Sequence, residues 1–223
     1  MIYRKNLKML KKNIESKINI HQLLNRINNA IANFDNSEII WFRGHTASHK
    51  LLPTLYRFKG GIKEELSFIS QYNDSKFNLS KEIIEIMIDM HHSYIPTRLL
   101  AWTVQLYIAL FCALVRESDD AAIFILDPLA LNKISKKTKK RELNSTYRAE
   151  DAFIKNWPNE SSLPETPIAV DGNSFKEDFK FTIHGKIKLP LEDQVPCCVK
   201  KIVLTEAEKS FGIEILLSGF YAL

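Results

Sequence analysis

Trp41-Phe42-Arg43-Gly44-His45-Thr46 is the stretch on which the reading of this chain turns. Ser37 to Phe42 follows the polar turn Asp35-Asn36 and runs through Ile39, Ile40, Trp41 and Phe42, the β-branched and aromatic residues of a short strand. That strand is expected to stop at Arg43-Gly44. Glycine admits backbone conformations closed to other residues, so a ligand can approach the main chain there. Arginine supplies a planar fork of donors that suits a phosphate or pyrophosphate. His45, Thr46, Ser48 and His49 crowd polar groups into the loop that follows. The plainer reading of the same residues is that Arg43 holds a carboxylate and Gly44 makes a turn.

Around this stretch lies a chain of 223 residues, enough for one large domain or two small ones. Apolar residues make up 45% and charged residues 26%, the composition of a soluble globular protein. No run is long and apolar enough to cross a membrane. The longest apolar window, Val104 to Val115, is broken by Gln105 and fits a buried helix. Met1 to Lys12 is charged throughout and has no apolar signal core. Cys112, Cys197 and Cys198 form neither a disulfide framework nor a paired metal-ligand spacing, and a reducing cytoplasm is the expected location. The net charge of +5 fits an anionic partner or substrate.

Upstream, apolar residues recur at helical spacing from Leu7 to Ile31, which predicts two helices broken near Ile18-Asn19. The expected organisation is an N-terminal helical segment over 1–34 and an α+β domain over 35–223, with a small mixed or antiparallel sheet and a central buried helix. Downstream, Pro53 resists a helix over Leu51 to Arg57, and Arg57 is a second candidate anion contact. Ile62 to Asn73 reads as a helix with Leu66 and Ile69 inside. A helix is expected over Lys81 to His91, then an extended piece over Thr97 to Ala101 behind Pro96. Thr103 is a good N-cap for a helix over Val104 to Val115 that is apolar almost all round. Ala121 to Leu126, Ile168 to Val170, Phe179 to Ile183 and Cys198 to Leu204 read as strands, and Thr205 caps a helix from about Glu206. The basic run Lys133 to Arg141 reads as an exposed loop or arm, either solvated or in contact with nucleic acid.

Two stretches together resemble the FRG domain, a family named for a Phe/Tyr-Arg-Gly triplet. The first is Phe42-Arg43-Gly44 with Leu52-Pro53-Thr54-Leu55-Tyr56-Arg57 downstream. The second is Pro96-Thr97-Arg98-Leu99-Leu100-Ala101-Trp102-Thr103, followed by Ala109-Leu110-Phe111. Phe181-Thr182-Ile183-His184 is similar to a third, weaker element near the family's end. The chain departs from the family pattern in three places. Ala101 stands where the family has Asp. Glu177-Asp178-Phe179 replaces a Gln-x-Gly step. The Pro-Asp segment after Gly219 to Leu223 is missing.

A looser similarity links the Arg-Gly step to ADP-ribosyltransferases, whose early strand ends in Tyr-Arg-Gly with the arginine on the phosphate of NAD. The resemblance implies NAD as cofactor, with Arg43, Thr97, Arg98, the altered position Ala101, and Glu177 in catalytic places. Arg43, Gly44, His45, Thr46, Arg57, Trp102 and Thr103 would line the cofactor site, and Tyr94 offers a further aromatic face. In that chemistry a carboxylate steadies an oxocarbenium-like ribose. The acceptor would be a nucleic acid or a protein, an antitoxin or other protein would be a partner, and a toxin or anti-phage defence role would suit a small cytoplasmic chain. Two other functions stand beside it: a nucleic-acid-binding or nuclease-like protein using Lys133 to Arg141, and a protein-interaction module without catalysis. Arg98, set in an apolar run, must either be paired or reach a polar cleft. His45 and His49 follow a strand, and their spacing suits a metal only on a helix.

Overall fold

The computed structural model describes residues 21–34, 37–76, 83–115, 120–136, 166–171, 180–210 and 212. The fold is α+β, with helices packed on two small antiparallel sheets. The chain divides into two compact units that alternate along the sequence: Met1–His49, Gln105–Leu126 and Lys200–Leu223 in one, Lys50–Val104 and Asp127–Val199 in the other. Among the described residues no helix is long and apolar enough to cross a membrane.

The first unit is a three-stranded sheet with helices on one face. Strand β1 (Trp41–His45) pairs antiparallel with β3 (Ala122–Leu126), with Arg43 opposite Phe124. Strand β6 (Val199–Val203) lies on the far side of β3. The bonds from Leu204 N to Ala121 O, 2.8 Å, and from Asp127 N to Cys198 O, 2.9 Å, make that pairing antiparallel and set Lys201 across from Phe124. Helix α1 (residues 21–32) and helix α5 (Leu106–Leu114) cover one face. Leu23, Ile27 and Phe34 join Phe42, Ala109, Ala113, Ile123, Ile125 and Ile202 in one core. The helical segment expected at the N-terminus therefore shares its core with β1; residues 1–20 lie outside the described residues. The helix 206–210 opens with a reciprocal cap, Glu208 N donating to Thr205 Oγ1 and Thr205 N to Glu208 Oε2, while Arg26 of α1 donates twice to the same carboxylate.

Three expectations for this unit are corrected. The strand runs through Arg43-Gly44 to His45 and makes no turn there. Helix α5 begins at Leu106 behind Gln105, which makes no side-chain cap, and Thr103 is buried ahead of it. Helix α5 is not enclosed all round: Ala109 and Ala113 are buried, while Tyr107 is 62% exposed and Phe111 39%. Small residues let its backbone approach the strand closely, so only a narrow stripe is covered.

The second unit carries the sheet β2 (Leu99–Trp102), β5 (Lys180–Ile183), β4 (Ile168–Asp171), with β5 in the middle and both pairs antiparallel. Helices α3 (Glu65–Lys76) and α4 (Ile83–His92) pack on it through Ile69, Ile86, Met87, Ile88 and Met90. Leu66, expected inside, is 42% exposed; Glu65 takes the inner position at 1%. A 3₁₀ turn over Gly61–Glu64 leads into α3. Pro53 stands at the start of a short helix, α2 (Thr54–Arg57), since proline stops a helix behind it but tolerates one ahead. The basic run expected as a loop begins on helix α6 (Pro128–Lys136), capped by a bond of 2.8 Å from Ala130 N to Asp127 Oδ1; residues 137–141 lie outside the described residues. A last short helix, α7 (Leu191–Gln194), precedes β6.

Candidate functional site

Side chains alternate across a strand, and the helices settle which face is which. Phe42 packs with Ala109 and Ala113, and Gly44 lies beneath the same helix. A Cβ on Gly44 would stand 1.7 Å from Ala109 O and 2.6 Å from Ala113 N. The glycine of the triplet is thus required by helix packing, not by a turn or by a ligand. Arg43 and His45 consequently face away from α5. On β3 and β6 the same alternation leaves Phe124 and Lys201 on that face, since Ile123, Ile125 and Ile202 belong to the helix-side core.

One row across three strands is therefore Arg43, Phe124, Lys201. The Lys201 Nζ lies 5.6 Å from the centroid of the Phe124 ring, a cation over an aromatic face. Lys201 also donates to the Ala47 carbonyl and ties the loop after β1 to β6. At the end of β1 the His45 ring stacks on that of His49 in the loop, with centroids 3.3 Å apart and planes at 17°. Thr46 N donates to His45 Nδ1 at 2.8 Å, which makes that nitrogen the unprotonated one of the neutral ring. Ser48 N donates to Asp120 Oδ2 at 2.8 Å, so one carboxylate anchors the loop. Two cations, two imidazoles and the hydroxyls of Thr46 and Ser48 are brought into this one region. Stacked rings cannot direct two lone pairs at one metal ion, and among the described residues no group of three or more His, Cys, Asp or Glu is placed to hold one.

The remaining candidates belong to the second unit. Arg98 is 1% exposed, and its Nε donates to both oxygens of Glu65 at 2.8 Å while Nη2 pairs with the same carboxylate. Its Nη1 donates to the His184 carbonyl at 3.4 Å. Thr97 is fully buried, its hydroxyl accepting from Leu99 N at 3.4 Å. Trp102 is a core residue whose Nε1 donates to Thr182 Oγ1 at 3.1 Å, and that hydroxyl lies 3.2 Å from His184 Nε2. Tyr56 closes this network by donating to the Gly185 carbonyl. Burial holds its phenol well above the ordinary pKa; Arg98 pulls it back less strongly, and Glu65 adds a smaller push upward. Ala101 is half-buried in β2 opposite Phe181, against the apolar core. Arg57 is exposed and donates to the Lys50 carbonyl at 2.6 Å; partial burial lowers its pKa against an opposing effect of Glu192. Tyr94 is 97% exposed at the end of α4, with a φ of 59° at a position usually given to glycine. Glu177 lies outside the described residues.

Arg43, Gly44, His45 and Thr46 thus come together in one unit, and Thr97, Arg98, Ala101, Trp102 and Thr103 in the other. Sequence reasoning missed Lys201 and Phe124. Both follow from strand alternation once the β3–β6 register is known, and that register joins segments far apart in the chain. Glu65 was missed because its helix was phased on Leu66.

No curated protein and no solved structure matches the chain. The element Phe181 to His184 lies beyond the segment that a family model covers. That segment, residues 38–122, matches the family model of the FRG domain and contains both the Phe42-Arg43-Gly44 triplet and the Pro96 to Thr103 stretch.

Proposed function

We propose that the chain is a nucleotide-binding protein of the ADP-ribosyltransferase-like kind, and that it holds NAD by its pyrophosphate through Arg43 and Lys201. The observation that carries this reading is the row Arg43, Phe124, Lys201 on the sheet face turned from α5. Two strand spacings set the backbones of the two cations roughly 10 Å apart, a gap that two long side chains can close on a diphosphate. Arginine suits the forked contact and lysine the point charge. The neighbouring hydroxyls of Thr46 and Ser48 suit a ribose or a further phosphate oxygen. Transfer of ADP-ribose would need a carboxylate as well; the proposal is of binding alone.

Titration calorimetry tests it. NAD and ADP-ribose should bind with an affinity that falls with salt, and nicotinamide alone should give no heat. Arg43→Gln and Lys201→Gln should each weaken binding by about tenfold, roughly 1.4 kcal/mol. Absence of heat with every diphosphate, or affinity indifferent to both substitutions, would remove the reading. Labelled ADP-ribose transfer by the parent chain reports separately on turnover.

A further inference from the structure

We infer that Cys197 and Cys198 form a reversible thiol–disulfide switch at the entry to β6. Their sulfurs lie 3.8 Å apart. Cys197 is exposed and Cys198 is buried, so one thiol meets solvent while its neighbour in sequence waits behind it. That is the arrangement of an attacking and a resolving cysteine. The Sγ separation must shrink to about 2.05 Å for a bond. Adjacent α-carbons are held about 3.8 Å apart by the peptide, closer than the usual span of a disulfide. The bond is therefore strained and easily reduced, which suits a signal and not a staple.

The oxidant is a hydroperoxide. The Cys197 thiolate attacks a peroxide oxygen, the O–O bond breaks, and the leaving hydroxide or alkoxide takes up a proton as water or alcohol. The Cys197 sulfenic acid that results is attacked by the Cys198 sulfur, whose proton leaves with the departing hydroxide as water. One S–S bond replaces two S–H bonds; the two sulfurs together lose two electrons, and the peroxide gains them.

The strain has a defined path. Cys198 N donates to Val195 O at 2.9 Å, and Cys198 O accepts from Asp127 N at 2.9 Å. Asp127 in turn caps α6 through its bond with Ala130 N. Ring closure between the two cysteines turns the Cys198 peptide and loosens the Asp127 amide, and through it the first turn of α6.

The full chain is treated with hydrogen peroxide and analysed by peptide mass mapping and amide hydrogen exchange. The peptide holding Cys197 and Cys198 should lose the mass of two hydrogens, regain it with a dithiol reductant, and show faster exchange at Asp127 and Ala130 while oxidised. Cys197→Ser, a change at an exposed side chain, should abolish both effects. Over-oxidation of Cys197 with Cys198 still open to alkylation, a disulfide between two chains, or an unchanged peptide would each overturn the inference.

Discussion

At the scale of single residues, Gly44 and Tyr56 are each fixed by one neighbour. Gly44 has no room for a methyl group because the backbone of α5 occupies it. Gly44→Ala should destabilise the chain by about 3 kcal/mol, the upper end of overpacking costs, seen as a lower urea midpoint. An unshifted midpoint would mean that α5 and β1 are not in contact there. Tyr56 predicts a pH effect. Its folded pKa is raised, chiefly by burial, above the ordinary 10.0. Below pH 10.0 both states keep the proton, so nothing changes. Above it the unfolded chain releases the proton and the folded chain retains it, so stability falls as pH rises, by up to about 1.4 kcal/mol per unit. Tyr56→Phe should be less stable near neutrality, by about 1 kcal/mol for the lost hydrogen bond, yet show a flatter alkaline decline. Equal slopes for parent and variant would refute the assignment. The sequence made Arg43 and Gly44 conspicuous but offered only a turn or a ligand as the reason for the glycine. Helix packing was the third reason, and it depends on residues Ala109 and Ala113 far along the chain.

At the scale of elements, the edge of the second sheet shows how side chains replace a missing strand. Among the described residues, strand β4 pairs with β5 on one side only. On its open side, Asn132 of α6 donates to Ala169 O at 3.0 Å and accepts from Ala169 N at 2.8 Å. One amide thus satisfies both backbone groups that an edge strand leaves exposed. Asn132→Ala should cost about 1–3 kcal/mol by stranding both groups, read as a fall in thermal midpoint; no fall would show that solvent serves them equally well. The strands themselves were legible, because alternation of apolar residues is local. Helix α6 was not, since its basic residues suggested an arm, although Asp127-Pro128 is an ordinary opening for a helix. The cap predicted at Thr205 was legible for the same local reason: donor and acceptor lie three residues apart.

At the scale of the whole molecule, strand pairing joins distant stretches. Trp41 meets Leu126 and Leu99 meets Ile183. The α+β class follows from element types and could be read directly; the alternation of two units could not, because nothing local records which strand a strand will meet. The segment matched by the FRG domain, residues 38–122, holds β1 and β2 but neither β5 nor β6, and only the first residue of β3. Produced alone, residues 38–122 should lack a stable fold, with collapsed amide dispersion in NMR and no cooperative thermal transition. A cooperatively melting fragment would contradict the pairing. The order of manufacture follows from the same connectivity. A nascent chain emerging from the ribosome exposes Trp41-Phe42 and Leu99-Leu100 well before their strand mates exist, so two sticky ribbons wait in the cell at once, and chaperone depletion should strike the yield of this protein before that of one whose neighbouring strands are consecutive.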